Sequence, residues 1–256
     1  MQNKLSKKNN IILKTHQLTK HFGGVKAVND CSFEIEQGKI TALIGPNGAG
    51  KSTVFNLISG ILKPDSGNIF FEGKDISGMS IEDISNLGMS RVFQQSRLFK
   101  NLTVRENLLL AIDNKDMGFW KNVFGINKYG KDKEKKVKNI LKMVGAEKFS
   151  DQLASDLSFG QKRLTEIARA ILNPHKLLIL DEPVGGVTPS LKKEIKKILE
   201  ILREKGETII IIEHDMNFVF DLVDEIVVLD IGTVIAKGKP KEIKNNKKVL
   251  EAYLGQ

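Results

Sequence analysis

Short apolar runs alternate with amphipathic stretches along most of the chain. Runs such as Ile-Thr-Ala-Leu-Ile at 40–44 are typical of strands buried on both faces, whereas apolar residues spaced three and four apart indicate helices. Gly, Pro, Asn and Asp mark the turns between them. The pattern predicts strands over 11–15, 32–36, 40–44, 68–71, 88–94, 176–180, 207–212, 225–229 and 233–236. It predicts helices over 51–58, 80–87, 103–112, 131–144, 159–173, 189–204, 215–223 and 249–254.

This alternation predicts an α/β fold with a largely parallel sheet covered on both faces, preceded by an N-terminal antiparallel β portion. The pattern changes between 94 and 158, where helical stretches dominate. We interpret 11–93 and 159–238 as one core, 94–158 as an inserted helical subdomain, and 239–256 as a C-terminal tail, all within a single domain. An aromatic-rich stretch at 114–130 has no clean periodicity, and we expect it either to pack within the subdomain or to form a surface loop.

The clearest chemical signal is a glycine-rich loop between a predicted strand and a predicted helix. It reads Gly-Pro-Asn-Gly-Ala-Gly-Lys-Ser-Thr and matches the pattern of a phosphate-binding loop in a P-loop NTPase (RecA-like) core. Inward-facing backbone N–H groups and the helix N-terminus favour anions. We expect Lys51 to reach the β- and γ-phosphates of ATP and Ser52 to bind Mg2+. The predicted ATP-binding residues of this loop are Gly45, Pro46, Asn47, Gly48, Ala49, Gly50, Lys51, Ser52 and Thr53.

A second signal is a pair of carboxylates at the end of an apolar strand, Leu-Leu-Ile-Leu-Asp-Glu at 177–182. Ligands gather at the carboxyl ends of strands in parallel sheets. We expect Asp181 to hold Mg2+ and Glu182 to accept a proton from the water that attacks the γ-phosphate.

A third signal is Leu-Ser-Phe-Gly-Gln at 157–161, where Ser158 and Gln161 have the spacing of a capping box at a helix start. With this stretch the chain resembles the ATP-binding cassette (ABC) ATPases, whose signature Leu-Ser-Gly-Gly-Gln it matches at four of five positions. Phe159 replaces the first Gly. The resemblance implies that Ser158, Phe159, Gly160 and Gln161 contact ATP held by a second subunit in a head-to-tail dimer.

The resemblance extends over nearly the whole chain and implies further site residues. Phe22 matches the aromatic that stacks on adenine, and Val28 falls with the ATP-binding residues. Gln94, with Gln95 as the adjacent alternative, matches the Gln that reaches Mg2+ and the attacking water. His214 matches the histidine that touches the γ-phosphate, so the implied catalytic set is Lys51, Gln94, Glu182 and His214.

One position departs from the family pattern. Thr188 stands where many relatives have Asp, and Pro189 follows it at a first helical position. Thr followed by Pro is a common start of a helix, so we expect Thr188 to be an N-cap. Communication between two ATP sites is therefore expected to differ from that of many relatives.

Several stretches are similar to the ATP-binding subunits of branched-chain amino acid importers. They include His-Phe-Gly-Gly at 21–24, Ile-Glu-His-Asp-Met at 212–216 and Ala-Tyr-Leu-Gly at 252–255. The similarity implies a second ATPase subunit, identical or not, two transmembrane permease subunits and, indirectly, a substrate-binding protein. The implied location is peripheral, on the cytoplasmic face of the membrane. The alternatives are a urea, amide or lipopolysaccharide transporter, or a soluble ABC ATPase acting on nucleic acid.

Composition narrows these alternatives only slightly. The net charge of +9 over 256 residues is compatible with nucleic acid or an anionic surface, but its lysines are scattered over predicted polar helix faces, so no nucleic-acid partner is expected. Cys31 is the single cysteine, which excludes an internal disulfide and suits a reducing compartment. No apolar run reaches the ~20 residues of a membrane helix.

Overall fold

The computed structural model describes residues 10–92, 98–112 and 130–254. Its strands are β1 Ile11–Phe22, β2 Val25–Glu36, β3 Ile40–Ile44, β4 Ser66–Phe71, β5 Lys74–Asp75, β6 Met89–Val92, β7 Leu177–Asp181, β8 Ile209–Ile212, β9 Glu225–Asp230 and β10 Thr233–Gly238. Its helices are α1 Lys51–Ile58, α2 Ile81–Asn86, α3 Val104–Ile112, α4 Lys131–Met143, α5 Phe159–Leu172, α6 Pro189–Glu204, α7 Met216–Leu222, α8 Pro240–Lys244 and α9 Lys247–Leu254.

Two sheets carry the fold. A four-stranded antiparallel sheet has the order β2-β1-β4-β5, and a six-stranded sheet has the order β10-β9-β3-β8-β7-β6. Among the described strands of the larger sheet, β9, β3, β8, β7 and β6 are mutually parallel, and only β10 runs antiparallel, beside β9. The predicted α/β fold with an N-terminal antiparallel portion is confirmed.

The first hairpin is much longer than the sequence pattern predicts. Strands β1 and β2 are 12 residues each, where the pattern predicts five-residue strands at 11–15 and 32–36. The strict alternation breaks because the pairing register slips between Thr15 and Leu18, and Gln17 and Asp30 adopt positive φ. A bulge of this kind changes the face to which the following side chains point. The alternation of apolar and polar residues therefore does not mark the whole strand.

The larger sheet is buried between two apolar layers. All residues of β3, β7 and β8 are buried, which explains their continuous apolar runs. One core layer lies between this sheet, α1 and the antiparallel sheet. The other lies between the opposite face and α3–α7, and it extends to Tyr253 of α9.

The helical stretch predicted at 94–158 contains α3 and α4 in its described part, and both pack against α5. The division into core, helical subdomain and tail stays a prediction. Residues 113–129 lie outside the described residues, and so does nearly all of the aromatic-rich stretch. None of the described helices combines the length and apolarity needed to span a membrane.

Candidate functional site

The glycine-rich loop connects β3 to α1, as the sequence predicts. Gly50 has φ +94°, and a Cβ there would lie 2.3 Å from the carbonyl oxygen of Ala27. A Cβ at Gly45 would lie 2.1 Å from the carbonyl oxygen of Leu229. Only glycine allows the loop to pass this close to β2 and β9. Among the described residues no side chain caps α1, so its first N–H groups remain available to a ligand.

Lys51 lies inside the loop. Its Nζ donates to the carbonyl oxygens of Gly45 and Pro46, both at 2.8 Å, and the residue is 6% exposed. Burial lowers the pKa of Lys51 below the ordinary value of a lysine, and the charge of Glu182 acts in the opposite direction. The ammonium is thus directed into the loop and is electrostatically coupled to the carboxylate at the end of β7.

The turn between β9 and β10 is hydrogen-bonded to the glycine-rich loop and to β2. The N–H of Gly232 donates to the carbonyl of Ala49 at 3.1 Å, and the carbonyl of Gly232 accepts from the N–H of Asn29 at 2.9 Å. The C-terminal helix reaches the start of the loop as well. Burial raises the pKa of the Tyr253 hydroxyl, and the backbone N–H of Gly45 beside it acts in the opposite direction. Sequence reasoning assigned no role to Tyr253.

Asp181 ends β7 and is held by Arg91 of β6, which sequence reasoning missed. Arg91 Nη2 lies 3.0 Å from Asp181 Oδ2, and Nη1 donates to Asn56 Oδ1 at 2.9 Å and to Ser59 Oγ at 2.7 Å. The guanidinium also lies over the ring of Phe55, 5.7 Å from its centroid. One arginine therefore ties the carboxylate to the helix that follows the phosphate loop. The sequence signal for it was an Arg within a short predicted strand.

Glu182 and His214 form a pair at the carboxyl ends of β7 and β8. His214 Nε2 lies 3.1 Å from Glu182 Oε1, and the two side chains are 47% and 25% exposed respectively. Glu182 has φ +50°, a strained conformation for a residue with a side chain. Its N–H donates to the carbonyl of Ile212 at 2.9 Å, which holds the strained residue against β8. The carboxylate is thus fixed in place and still open to solvent on one side.

The predicted capping box at the start of α5 is confirmed. Ser158 Oγ accepts from the N–H of Gln161 at 3.3 Å, and Gln161 Oε1 accepts from the N–H of Ser158 at 2.8 Å. Phe159 is 55% exposed, with the guanidinium of Arg163 5.8 Å from its ring centroid. A Cβ at Gly160 would lie 2.4 Å from Leu191 Cδ2, so glycine allows α5 to approach α6 closely.

The predicted N-cap at Thr188 is confirmed as well. Its hydroxyl accepts from the N–H of Leu191 at 3.4 Å and lies 3.0 Å from Ser190 Oγ. The side chain that replaces the usual Asp is therefore engaged in starting α6. This exposed hydroxyl carries no charge, in contrast to an Asp side chain at the same position.

Phe22, the predicted adenine contact, and Val28, a predicted ATP-binding residue, differ in accessibility. Phe22 lies at the tip of the β1–β2 hairpin with 47% of its surface exposed, and Lys20 Nζ lies 5.8 Å from its ring centroid. Val28 is fully buried in the core, so its side chain offers no surface to a nucleotide. The backbone of Val28 lies close to Gly232, where an added Cβ would be 2.9 Å from Val28 Cα. Gln94 and Gln95 lie outside the described residues.

The oxygen donors that the structure describes near the loop are few, which fits Mg2+ that is shared with substrate phosphates. These described donors do not form a site in which the protein alone holds a metal. Ser52 is exposed in the first turn of α1, and Asp181 presents a carboxylate whose Oδ2 faces Arg91. The described residues contain no cluster of three or more His, Cys, Asp or Glu that could hold a metal. Mg2+ is commonly held by one or two oxygen ligands together with substrate phosphates, and the described residues fit that mode.

Known protein families match most of the chain. Residues 28–185 match the family model described as ABC transporter, and residues 233–256 match the model described as branched-chain amino acid ATP-binding cassette transporter. The chain is 41% identical to the probable branched-chain amino acid transport ATP-binding protein LivG of Archaeoglobus fulgidus, over 95% of both chains. It is 37% identical to the high-affinity branched-chain amino acid transport ATP-binding protein BraF of Pseudomonas aeruginosa, over 96% of this chain and 98% of BraF.

Solved structures agree with this relationship. The ADP conformation of MJ1267, an ATP-binding cassette of an ABC transporter, superposes with a TM-score of 0.83 and 36% identity, covering 96% of this chain and 99% of MJ1267. The dimeric structure of MJ0796, a bacterial ABC transporter cassette, gives a TM-score of 0.78 at 26% identity over 90% of this chain and 99% of MJ0796.

Proposed function

Because the chain belongs to the ABC transporter ATPases, in the group of branched-chain amino acid ATP-binding subunits, we propose that it couples ATP hydrolysis to import of branched-chain amino acids. The observation that carries the proposal is the joint position of the Lys51 loop, the Asp181 carboxylate and the Glu182–His214 pair. These groups lie at adjoining strand ends of one sheet.

ATP binds first through the loop at 45–53. The phosphates replace the loop carbonyls as partners of Lys51, and the N–H groups at the start of α1 donate to their oxygens. Ser52 and Asp181 would hold Mg2+, which neutralises phosphate charge when bound. Phe22 offers an exposed ring on which adenine stacks, at the end of the strand pair that lies against Gly50.

Hydrolysis is in-line attack of water on the γ-phosphorus, which yields ADP and phosphate. Glu182 accepts the proton from the attacking water as the new P–O bond forms and the bond to the β-γ bridging oxygen breaks. His214, 3.1 Å from Glu182, holds that carboxylate and approaches the γ-phosphate. The family resemblance implies that Gln94 would contact Mg2+ and the attacking water; this residue lies outside the described part of the chain.

A second copy or a similar chain completes the site. Ser158, Phe159, Gly160 and Gln161 begin a helix whose first residues face solvent, and they would contact ATP on the partner's loop. The dimeric structure of MJ0796 supports the pairing of two cassettes in this family. The working unit would then be two ATPase chains that dock on two permease subunits at the cytoplasmic face of the membrane, served by a substrate-binding protein.

Nucleotide affinity tests the loop assignment. Lys51→Ala should weaken ATP binding at least about tenfold, because a buried cation no longer meets the phosphates. Lys63→Ala is the matched control, since this exposed lysine lies beyond α1, and it should bind ATP as the wild type does. If titration calorimetry shows the wild-type affinity for ATP in Lys51→Ala, the assignment of this loop to ATP binding is wrong.

The solute requires the assembled transporter. Co-purification with its permease subunits in vesicles should give ATPase activity that rises with a loaded leucine-, isoleucine- or valine-binding protein. Stimulation by a urea- or amide-loaded binding protein instead would contradict the branched-chain amino acid assignment. The assignment as an ATPase would still hold. A salt-sensitive gel shift of RNA or DNA would favour the nucleic-acid alternative.

A further inference from the structure

Glu213 is a buried carboxylate next to the Glu182–His214 pair that the reaction above does not use. The residue directly follows β8 and is 2% exposed. A charge in such a place is costly unless hydrogen bonds replace its water. The cost indicates a specific role for this side chain.

The hydrogen bonds of Glu213 join two loops. Oε1 accepts from the backbone N–H of Val184 at 2.8 Å, in the loop that follows Glu182. Oε2 accepts from the N–H groups of His214 at 3.0 Å and Asp215 at 3.4 Å, in the loop that follows β8. The carboxylate therefore spans the two strand ends that carry the proposed base and its histidine.

The surroundings of Glu213 shift the pKa of its carboxyl group in both directions. Burial raises the pKa of Glu213, the three N–H bonds lower it, and the charge of Glu182 raises it again. An ion pair makes a second connection to the loop that follows β8. Lys192 Nζ of α6 lies 2.7 Å from Asp215 Oδ2. That ion pair is partly exposed to solvent, so it contributes little to stability.

We propose that Glu213 is a positioning residue for ATP hydrolysis, which holds the loop after Glu182 and the loop of His214 in one fixed arrangement. The inference rests on the proposed roles of Glu182 and His214. Both oxygens are needed, since Oε1 serves one loop and Oε2 serves the other. A side chain with a single acceptor satisfies only one loop and turns an N–H donor toward the other.

Glu213→Gln tests this with almost no change in volume. We expect its kcat for ATP to fall about tenfold or more, while KM and the affinity for a fluorescent ATP analogue stay within about twofold of wild type. Glu207→Gln is the control, because Glu207 is a carboxylate near the opposite end of β8, paired with His175 at 3.2 Å. This variant should keep the wild-type kcat and KM.

Hydrogen–deuterium exchange separates positioning from general destabilisation. In Glu213→Gln the amides of the two loops, at Val184, His214 and Asp215, should exchange faster while those of β7 and β8 keep their protection. A wild-type kcat in Glu213→Gln would overturn the inference. So would a loss of nucleotide affinity equal to the loss in kcat, or faster exchange throughout both strands. Absence of turnover in the wild-type protein would instead count against the proposed function itself.

Discussion

Replacing Arg91 by Met should destabilise the protein far more than a surface charge would. The side chains of Arg91 and Asp181 are 7% and 11% exposed, and the guanidinium also donates to Asn56 and Ser59. Removing one partner of a buried ion pair leaves the other charge without compensation and costs about 3–5 kcal/mol. For a chain of this length that cost lowers the melting temperature by about 6–10 °C.

Thermal and urea unfolding of the nucleotide-free protein measure this loss, and Arg105→Met provides the matched control. Arg105 is 49% exposed and pairs with Glu134 at 3.7 Å and Asp151 at 3.5 Å, so its loss should cost less than about 1 kcal/mol.

Asp181→Asn gives a second test, because it removes the charge that Arg91 compensates. In that background Arg91→Met should cost clearly less than in the wild type, as expected for two groups in direct contact. A loss below about 1 kcal/mol in Arg91→Met, or full additivity of the two substitutions, would refute the bridge between β7 and α1.

Three further expectations follow from single contacts. Asp65 accepts from Lys20 Nζ, which lowers the pKa of Asp65 to about 2 from 3.8, so its stabilising effect is present above pH 3.8 and is lost toward pH 2. Acid titration of Asp65→Asn should show a smaller loss of stability in that window, and an unchanged profile would contradict it. Gly45→Ala should cost about 1–3 kcal/mol in urea unfolding, since its Cβ would meet the Leu229 carbonyl, and a neutral effect would refute the close approach. Tyr253→Phe should be neutral or stabilising by up to about 1 kcal/mol, because the buried hydroxyl has no close hydrogen-bond partner among the described residues, and a clear loss of stability would show a bond to Gly45.

Local signals in the sequence were sufficient for the elements that carry the chemistry. The phosphate loop, the strand before Asp181 and the caps at Ser158 and Thr188 depend on short-range pattern, and the structure has them where the sequence predicts. The exact lengths of β1 and β2 were not predictable, because the bulge near Gln17 breaks the alternation.

Contacts between distant segments were not predictable either. Arg91 meets Asp181 across 90 positions, and Glu213 meets Val184 across 29. Arg91 stands in the sequence as one charged residue within a predicted strand, and Glu213 as one directly after an apolar strand. Such a position identifies an unusual residue without naming its partner. Tyr253 and Gly45 come together only because the C-terminal helix packs back against the sheet. The fold supplies these partners, and pattern alone does not.

Turnover by Glu182→Gln under conditions of demonstrated ATP binding is the most direct test of the proposed chemistry. The variant keeps the shape of the side chain and removes the proton acceptor, so phosphate release should fall at least about a hundredfold while calorimetry still shows ATP affinity within about twofold of wild type. Phosphate release at the wild-type rate in this variant would contradict the assignment of Glu182 as the base.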